Sequence, residues 1–353
     1  MQSLDEKTWN AVQVDSFADV MSGKDIYASE RIDGKRPYVT AGTVNNGIGY
    51  FVGNDNNSAD SHVISVNRNG AVGESFFHPY KALFGNDCRR LKVREAVSDD
   101  AQQFMAVAIK GQKDAFSYSR KLGTGRLQRL SVMLPVADSG EPDYAYMAEY
   151  VQQKRDAMLT KYRAYVKARI AEIGKVVKIP ALDEKEWKPI FISDMFEFVR
   201  GCENNMAVLE DGDLPLISAK ANNNGLKGFV HSPKKAIAGR CITLNNDGDG
   251  GAGLAYYQPA NMALDTHVTA LIPRFDMSMF VMLFIAECIS GLHGFFGHGL
   301  SISNPRARRI RIMLPVNDSG EPDYEYMEQY AKNTMLRKYQ QYLPFLQQSN
   351  DAD

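Results

Sequence analysis

The stretch MLPVADSGEPDYAYMAEY, residues 133–150, returns as MLPVNDSGEPDYEYMEQY at residues 313–330. Fourteen of the eighteen positions are identical; the mismatches are Ala137/Asn317, Ala145/Glu325, Ala148/Glu328 and Glu149/Gln329. Chance composition does not produce agreement of this length, so the chain is a tandem repeat. The repeat exceeds a solenoid unit, which runs about 20–50 residues, and each copy is therefore a domain. A chain of 353 residues permits two or three domains, each able to bury its own core; the repeat selects two.

Upstream of this stretch the two copies stay in step. Leu4, Asp5, Glu6, Lys7, Thr8, Trp9 answers to Leu182, Asp183, Glu184, Lys185, Glu186, Trp187, which marks two domain starts. At the same offset, PYVTAGTVNNG (37–47) matches PLISAKANNNG (215–225), an alternating apolar run closed by Asn-Gly, the strongest short-range hairpin signal. The β-branched runs HVISVN (62–67) and RCITLN (240–245) come next, closed by RNG at Gly70 and NDG at Gly248. The second copy is then two residues longer, within DGDGGAG (247–253). Phe76, Phe77, His78, Pro79 aligns with Tyr256, Tyr257, Gln258, Pro259, and the proline places these runs on sheet edges. Helical spacing follows at 99–109, with an Asp start, and at 278–289, apolar nearly all round and hence buried. A Gly-rich basic loop (123–129, 297–309) precedes the last strand, which runs into the proline of MLPV. Strands first and helices later give α+β domains with small twisted sheets.

Downstream, the pattern changes to long helices. Tyr144, Met147, Tyr150, Val151, Met158, Tyr162, Tyr165, Val166 and Ile170 recur at spacings of three and four, between Pro142 as start signal and Gly174 as stop. About 30 residues at 1.5 Å each make a rod of about 45 Å. From Asp323 the second copy repeats it with Tyr324, Met327, Tyr330, Leu336, Tyr339 and Leu343, and Pro344 is expected to end it. Neither rod buries its stripe on one small domain alone, so the two are expected to pack antiparallel through Tyr144, Met147, Tyr150, Met158, Tyr162, Tyr324, Met327, Tyr330 and Tyr339. The expected divisions are 1–142 and 175–322 for the domains, 143–174 for the first spacer helix, and 323–353 for the second with its tail.

Bulk composition narrows the function classes. With 41 basic and 42 acidic residues, the net charge of −1 supplies no global attraction to nucleic acid. The basic residues are clustered: Arg120, Lys121, Arg126 and Arg129, then Arg306, Arg308, Arg309 and Arg311, each just before the MLPV repeat. Four scattered cysteines without a CxxC pair suggest neither a zinc site nor a disulfide framework and fit a reducing cytoplasm. The acidic start MQSLDEKTWN has no apolar leader core, and the most apolar run, 277–289, is too short to cross a bilayer, so no membrane association is expected.

In the order of its pieces the chain resembles the specificity (S) subunits of restriction-modification systems. The resemblance rests on the Asn-Asn-Gly hairpins (Asn45, Asn46, Gly47; Asn223, Asn224, Gly225), the Asn67 and Asn245 turns, the aromatic-proline strands, the basic Gly-rich loops and the Leu-Pro junction entering a long helix. It covers nearly the whole chain, twice. Compact length and near-identical junctions look more like the S subunit of BcgI-like type IIB systems than like longer type I subunits. The resemblance implies two target-recognition domains, each reading half of a bipartite double-stranded DNA target, spaced by the paired helices. It also implies a methyltransferase/endonuclease partner that carries adenine methylation and cleavage with S-adenosylmethionine and Mg, this chain holding no cofactor or metal and catalysing nothing by itself.

Phosphate binding needs mobile cations and backbone amides on a Gly-rich turn, which Arg120, Lys121, Arg126, Arg129, Arg306, Arg308 and Arg309 satisfy; a solvated strand is the competing account. Asn before Gly is what a tight turn needs, and that reading is preferred over adenine contact for Asn45, Asn46, Asn223 and Asn224. Turn and DNA contact both stay open for Asn67, Arg68, Asn69, Asn245 and Asn246, as for the exposed charges Lys220 and Lys227. On the long helices, Lys154, Arg155, Lys161, Arg163, Lys332, Arg337 and Lys338 are candidate partner contacts or an ordinary charged face.

Catalytic motifs are incomplete. Pro142, Asp143 and Glu149 mimic the opening of a nuclease PD…ExK pattern but lack the lysine, and Asn304, Pro305, Arg306 lacks the second proline and aromatic of an amino-methyltransferase motif. Residues 247–253 lack the Lys-Ser/Thr of a phosphate loop, and His293 and His298 have no partner ligands in sequence. The competing functions are a self-contained nuclease, and a carbohydrate- or peptide-binding protein using Phe76/Phe77 and Tyr256/Tyr257 as its platform.

Overall fold

The computed structural model describes residues 2–117, 119–204, 209–248, 251–297 and 299–348, with side chains omitted for 345–348. His298, Asp249, Gly250 and the tail 349–353 lie outside the described residues. The chain divides into two compact units, Met1–Tyr162 and Arg163–Asp353.

Each unit is built on a four-stranded antiparallel sheet. In the first the strand order is Ala18–Ser22, Cys88–Val93, Val63–Asn67, Ser75–His78; in the second it is Phe196–Arg200, Val268–Pro273, Cys241–Asn245, Ala255–Gln258. The aromatic-proline runs are the edge strands, because Pro79 and Pro259 have no N–H to extend the ladder. The helices Asp99–Lys110 and Met279–Ser290 lie on one face, each capped by a serine: Ser98 Oγ accepts from the Ala101 N–H (3.2 Å) and Ser278 Oγ from the Val281 N–H (3.3 Å). The cap of the first is thus Ser98, with Asp99 and Asp100 in the first turn. Ile64, Val66, Leu91, Met105, Ile109 and Met147 fill the first core, and Ile242, Leu244, Leu271, Met282, Ile285 and Met327 the second.

The Asn-Asn-Gly runs close hairpins, although with wider loops than a two-residue turn. Val39 pairs with Ile48, leaving 40–47 as the connection. Asn45 and Asn46 (φ 51° and 52°) and Asn223 and Asn224 (φ 51° and 49°) are left-handed, a conformation asparagine tolerates better than most. Gly47 and Gly225 follow at φ 73° and 75°; a Cβ there would meet the Thr40 and Ser218 carbonyls at 3.0 and 2.9 Å.

A long-range pairing closes each unit. Trp9–Gln13 runs antiparallel to Ser131–Pro135, and Trp187–Phe191 to Arg311–Pro315. Lys7 then reaches Asp143, and Lys185 reaches Asp323, both at 2.7 Å. Each aspartate also accepts from the N–H three residues on, at Tyr146 and Tyr326, and so caps a long helix. Burial, the largest influence, pushes both carboxyls up; the lysine and backbone hydrogen bonds together outweigh it and hold them below the ordinary aspartate value.

The long helices span Tyr144–Ile173 and Tyr324–Gln348. The second continues past Pro344, contrary to expectation; the proline stands exposed and removes a single rung of the ladder. Tyr144, Met147 and Tyr150 pack on the core of the first unit, and Tyr324, Met327 and Tyr330 on that of the second, so these residues seat each helix on its own domain. Met158 is 71% exposed and Tyr162 half-buried. Within the second unit the end of the first helix meets the second. Tyr339 bonds to Tyr165 and Arg169, and Val177 exchanges two hydrogen bonds with the Asn333 side chain (3.0 and 2.7 Å). Advancing from 165 to 177 thus retreats from 339 to 333, an antiparallel run. Among the described residues no helix is long and apolar enough to cross a membrane.

Candidate nucleic-acid interface

Four connectors meet at one end of each unit. In the first they are the hairpin loop 40–47, the turn 67–70, the turn 85–88 and the basic loop 119–124. Asn67 is the hub. It is fully buried, its Nδ2 donates to the Gly42 carbonyl (3.0 Å), and its Oδ1 lies 3.5 Å from Cys88 Sγ. Next to it the Arg68 N–H donates to the Asp87 carbonyl (2.7 Å), and the Arg68 carbonyl accepts from the Leu122 N–H (3.3 Å). The second unit repeats the arrangement. Asn245 Nδ2 donates to the carbonyls of Lys220 (3.0 Å) and Gly251 (3.1 Å), the Asn246 N–H to His267 (2.9 Å), and the Ile302 N–H to Asn246 (2.6 Å).

This geometry separates the turn residues. Asn67, Asn245 and Asn246 are buried; Asn67 and Asn245 donate through Nδ2 to loop carbonyls, and Thr269 Oγ1 donates to Asn246 Oδ1 (3.0 Å). Burial and these bonds make the three residues pins that hold the loops. Arg68 and Asn69, by contrast, stand half-exposed at the rim, bound to Asp87 at 3.0 and 3.4 Å. Arg120 and Arg126 are exposed on the basic loop, where the Arg126 guanidinium donates to the Lys121 carbonyl and Arg120 lies 5.8 Å from the Phe116 ring. In the second unit Arg306 repeats the loop contact through the Ser301 carbonyl.

The rim of the second unit surrounds a cavity of about 530 Å³ lined by Ser218, Lys227, Asp247, Asp265, His267 and Ser301. Lys220 sits beside it, its Nζ donating to the Leu226 carbonyl (3.0 Å). The counterpart in the first unit, about 320 Å³, is lined by Asp25, Tyr27, Arg31, Tyr38, Thr40 and Asp87. Not every predicted cation joins this rim. Arg308 stacks 5.0 Å from the Phe198 ring on the sheet, and Arg129 and Arg309 are exposed one turn further on. Among the described residues no carboxylate forms an ion pair with Arg120, Arg126, Arg129, Lys227, Arg306, Arg308 or Arg309. Sequence reading overlooked Asp87, His267 and Arg31, whose guanidinium lies 3.6 Å from the Tyr50 ring. Aligning the copies with the two-residue insertion counted would have paired Asp87 with His267.

Other candidate sites dissolve into structure. Asp143 caps a helix and pairs with Lys7, so the nuclease-like opening is a joint. Phe77 is buried, Phe76 and Tyr257 are half-buried, and the Tyr256 hydroxyl donates to the Lys220 carbonyl (3.3 Å); they form no open aromatic platform. Arg155 pairs with Asp100 and Lys332 with Glu328, so part of the helix charge is internally satisfied.

A family model for the type I restriction modification DNA specificity domain matches residues 6–173 and again 184–342. The chain belongs to this family. It therefore carries two specificity domains, and the duplicated connectors are the corresponding loops of each. Over 160 residues it is 32% identical to the specificity subunit S.BcgI of a type II restriction enzyme from Heyndrickxia coagulans, covering 45% of this chain and 47% of that one. The match thus spans about half the length of that relative. In fold the chain is similar to the S subunit of a type I restriction-modification system from M. genitalium, with a TM-score of 0.51, 15% identity, and coverage of 99% of this chain and 94% of the other.

Proposed function

We propose that each specificity domain reads one half of a bipartite double-stranded DNA target through its connector rim. The chain then brings that target to a methyltransferase/endonuclease subunit. The observation that carries this is the rim itself: buried asparagine hubs hold the loops alike in both domains, while the exposed residues at the edge differ and include Arg120, Arg126, Lys227 and Arg306, which pair with no carboxylate among the described residues. Such cations position a duplex by its phosphates, and the differing polar residues supply two readings. Adenine methylation and cleavage belong to the partner, with S-adenosylmethionine and Mg bound there; this chain supplies address and spacing, working in the cytoplasm where that partner and the DNA meet.

Salt dependence tests the phosphate contacts. Replacing Arg126 and Arg129 by Ala reduces the slope of log affinity against log salt by about 1 per lost contact, whatever the sequence bound. An unchanged slope removes both from the interface. The purified chain with Mg alone leaves DNA intact, and cutting that copurifies with it through successive columns would return the nuclease reading.

A further inference from the structure

Corresponding corners of the two rims hold the same kind of polar pair with the acid on opposite sides. In the first domain Asp87 binds Arg68 (Nη2 to Oδ1, 3.0 Å) and Asn69 (3.4 Å). In the second, Asp247 stands in the place of Asn69 and His267 in that of Asp87, and the two meet at 2.7 Å, Nδ1 to Oδ1. The backbone secures this correspondence. The Arg68 N–H donates to the Asp87 carbonyl as the Asn246 N–H does to that of His267. Gly70 and Gly248, at φ 64° and 105°, abut the Ala41 and Ala219 carbonyls. The scaffold is the same, and donors and acceptors are exchanged upon it.

Core packing requires neither pair. Their side chains are 30% and 47% exposed for Arg68 and Asp87, and 28% and 56% for Asp247 and His267. Buried polar atoms without a protein partner gather at the same turn: Arg68 Nε and Asn69 Oδ1 in one domain, Asn245 Oδ1 and Asn246 Nδ2 in the other. Folded proteins hold few such atoms, and each calls for an explanation.

We propose that these corners read bases with opposite polarity: Arg68, oriented by Asp87, donates to guanine, and Asp247, oriented by His267, accepts from the amino group of cytosine. The assignment rests on the DNA-reading function above. Asp87 engages Nη2 of Arg68 and leaves Nη1 with the second Nη2 hydrogen as a fork, which matches guanine O6 and N7 in the major groove. His267 engages Oδ1 of Asp247, and Oδ2 is the acceptor for cytosine N4. Phosphates would repel a lone carboxylate. Lys227 in the same cavity, and Arg306 anchored on the Ser301 that lines it, offset that repulsion. Asp265, whose Oδ1 accepts from the His267 N–H (3.1 Å) and the Thr266 hydroxyl (3.3 Å), braces the backbone of the residue that orients Asp247.

The test is enrichment of randomised double-stranded DNA by the full chain together with its methyltransferase/endonuclease subunit, comparing wild type with Arg68→Gln and Asp247→Asn. Wild type is expected to enrich a two-part motif with guanine in one half and cytosine in the other. Arg68→Gln lowers the guanine preference about tenfold at one position of one half, and Asp247→Asn moves cytosine toward adenine at one position of the other half. Unchanged letters, or uniform weakening with every letter retained, overturn the assignment and leave the DNA-reading function standing. No motif from wild type overturns that function and this assignment together. Asp247→Asn is isosteric and Arg68→Gln shortens a half-exposed side chain, and a melting profile matching wild type confirms that the letter change is not a folding defect.

Discussion

Residues 133–150 and 313–330 differ at four of eighteen positions, whereas at the rims Arg68, Asn69, Asp87 and Lys121 stand against Asn246, Asp247, His267 and Ser301. The two regions answer to different constraints. In the joint Leu134 and Leu314 are buried beneath the closing strand, Gly140 and Gly320 turn at φ 85° and 81°, and Met147 and Met327 plug the core. Asp143 and Asp323 cap helices, and the Tyr146 and Tyr326 hydroxyls tie back to the Gln2 and Pro180 carbonyls. Changes at these buried or bonded side chains disturb a strand or a helix. At the rim the hub asparagines and the positive-φ glycines Gly70 and Gly248 recur in both copies, while the residues between and opposite them vary. The exposed Met133 and Met313 are identical without a packing reason.

The comparison breaks most visibly in the joint. Leu134→Ala and Leu314→Ala each open a cavity in a full core and destabilise their own domain by about 3 kcal/mol. Urea denaturation followed by a probe in each domain should show the mutated domain unfolding first, and equal loss in both domains would mean that they do not unfold as separate units.

Next comes the capping carboxylate. Asp143→Ala removes a helix cap and the Lys7 partner, and about 1–3 kcal/mol of stability at neutral pH. Because the folded carboxyl titrates below its ordinary value of 3.8, its contribution is present above that value and lost as pH falls through the folded pKa. The gap between variant and wild type, read by melting temperature, therefore closes in acid; a gap constant down to strongly acidic pH contradicts the ion pair.

A smaller contrast sits under the sheets, where His78 of the first domain matches Gln258 of the second. Burial pushes the His78 imidazole down from 6.5 to about 4, and its Nε2 meets Ser65 Oγ at 2.8 Å. Gln258 makes the equivalent bond to Thr243 Oγ1 at 3.1 Å and does not titrate. The folded state holds His78 neutral while the unfolded chain takes up a proton, so the first domain loses stability as pH falls from about 6.5 toward about 4. His78→Gln flattens that slope in a pH series of melting curves, and an unchanged slope assigns it to other groups. Smallest of all, Arg126→Ala with Arg129→Ala leaves stability within about 0.5 kcal/mol of wild type, measured in the same urea titration, while changing salt-dependent DNA binding.

Much of the frame was legible in the residues because its signals are local. Asn-Asn-Gly requires left-handed backbone, Pro142 and Gly174 bracket a helix, and apolar spacings of three and four mark its buried stripe. The helix stripe was legible as buried but not as to what buries it. Tyr144, Met147 and Tyr150 seek the core of their own domain, since the strand pairing of 9–13 with 131–135 brings that core beneath them. Pro344 misled for a related reason: on an exposed face near a helix end, one missing hydrogen bond does not stop the helix.

The sequence by itself determined that there are two copies, that each is α+β, where the long helices start, and that the cations concentrate before each joint. Those properties follow from periodicity, backbone preference and repetition, all of which act over neighbouring residues. Tertiary structure alone decided that Asn67 is a buried pin and adjacent Arg68 an exposed edge, and that Asp87 faces Arg68 as Asp247 faces His267. Burial and pairing at one turn depend on Gly42, Asp87 and Leu122, which are distant along the chain and meet only when the sheets close.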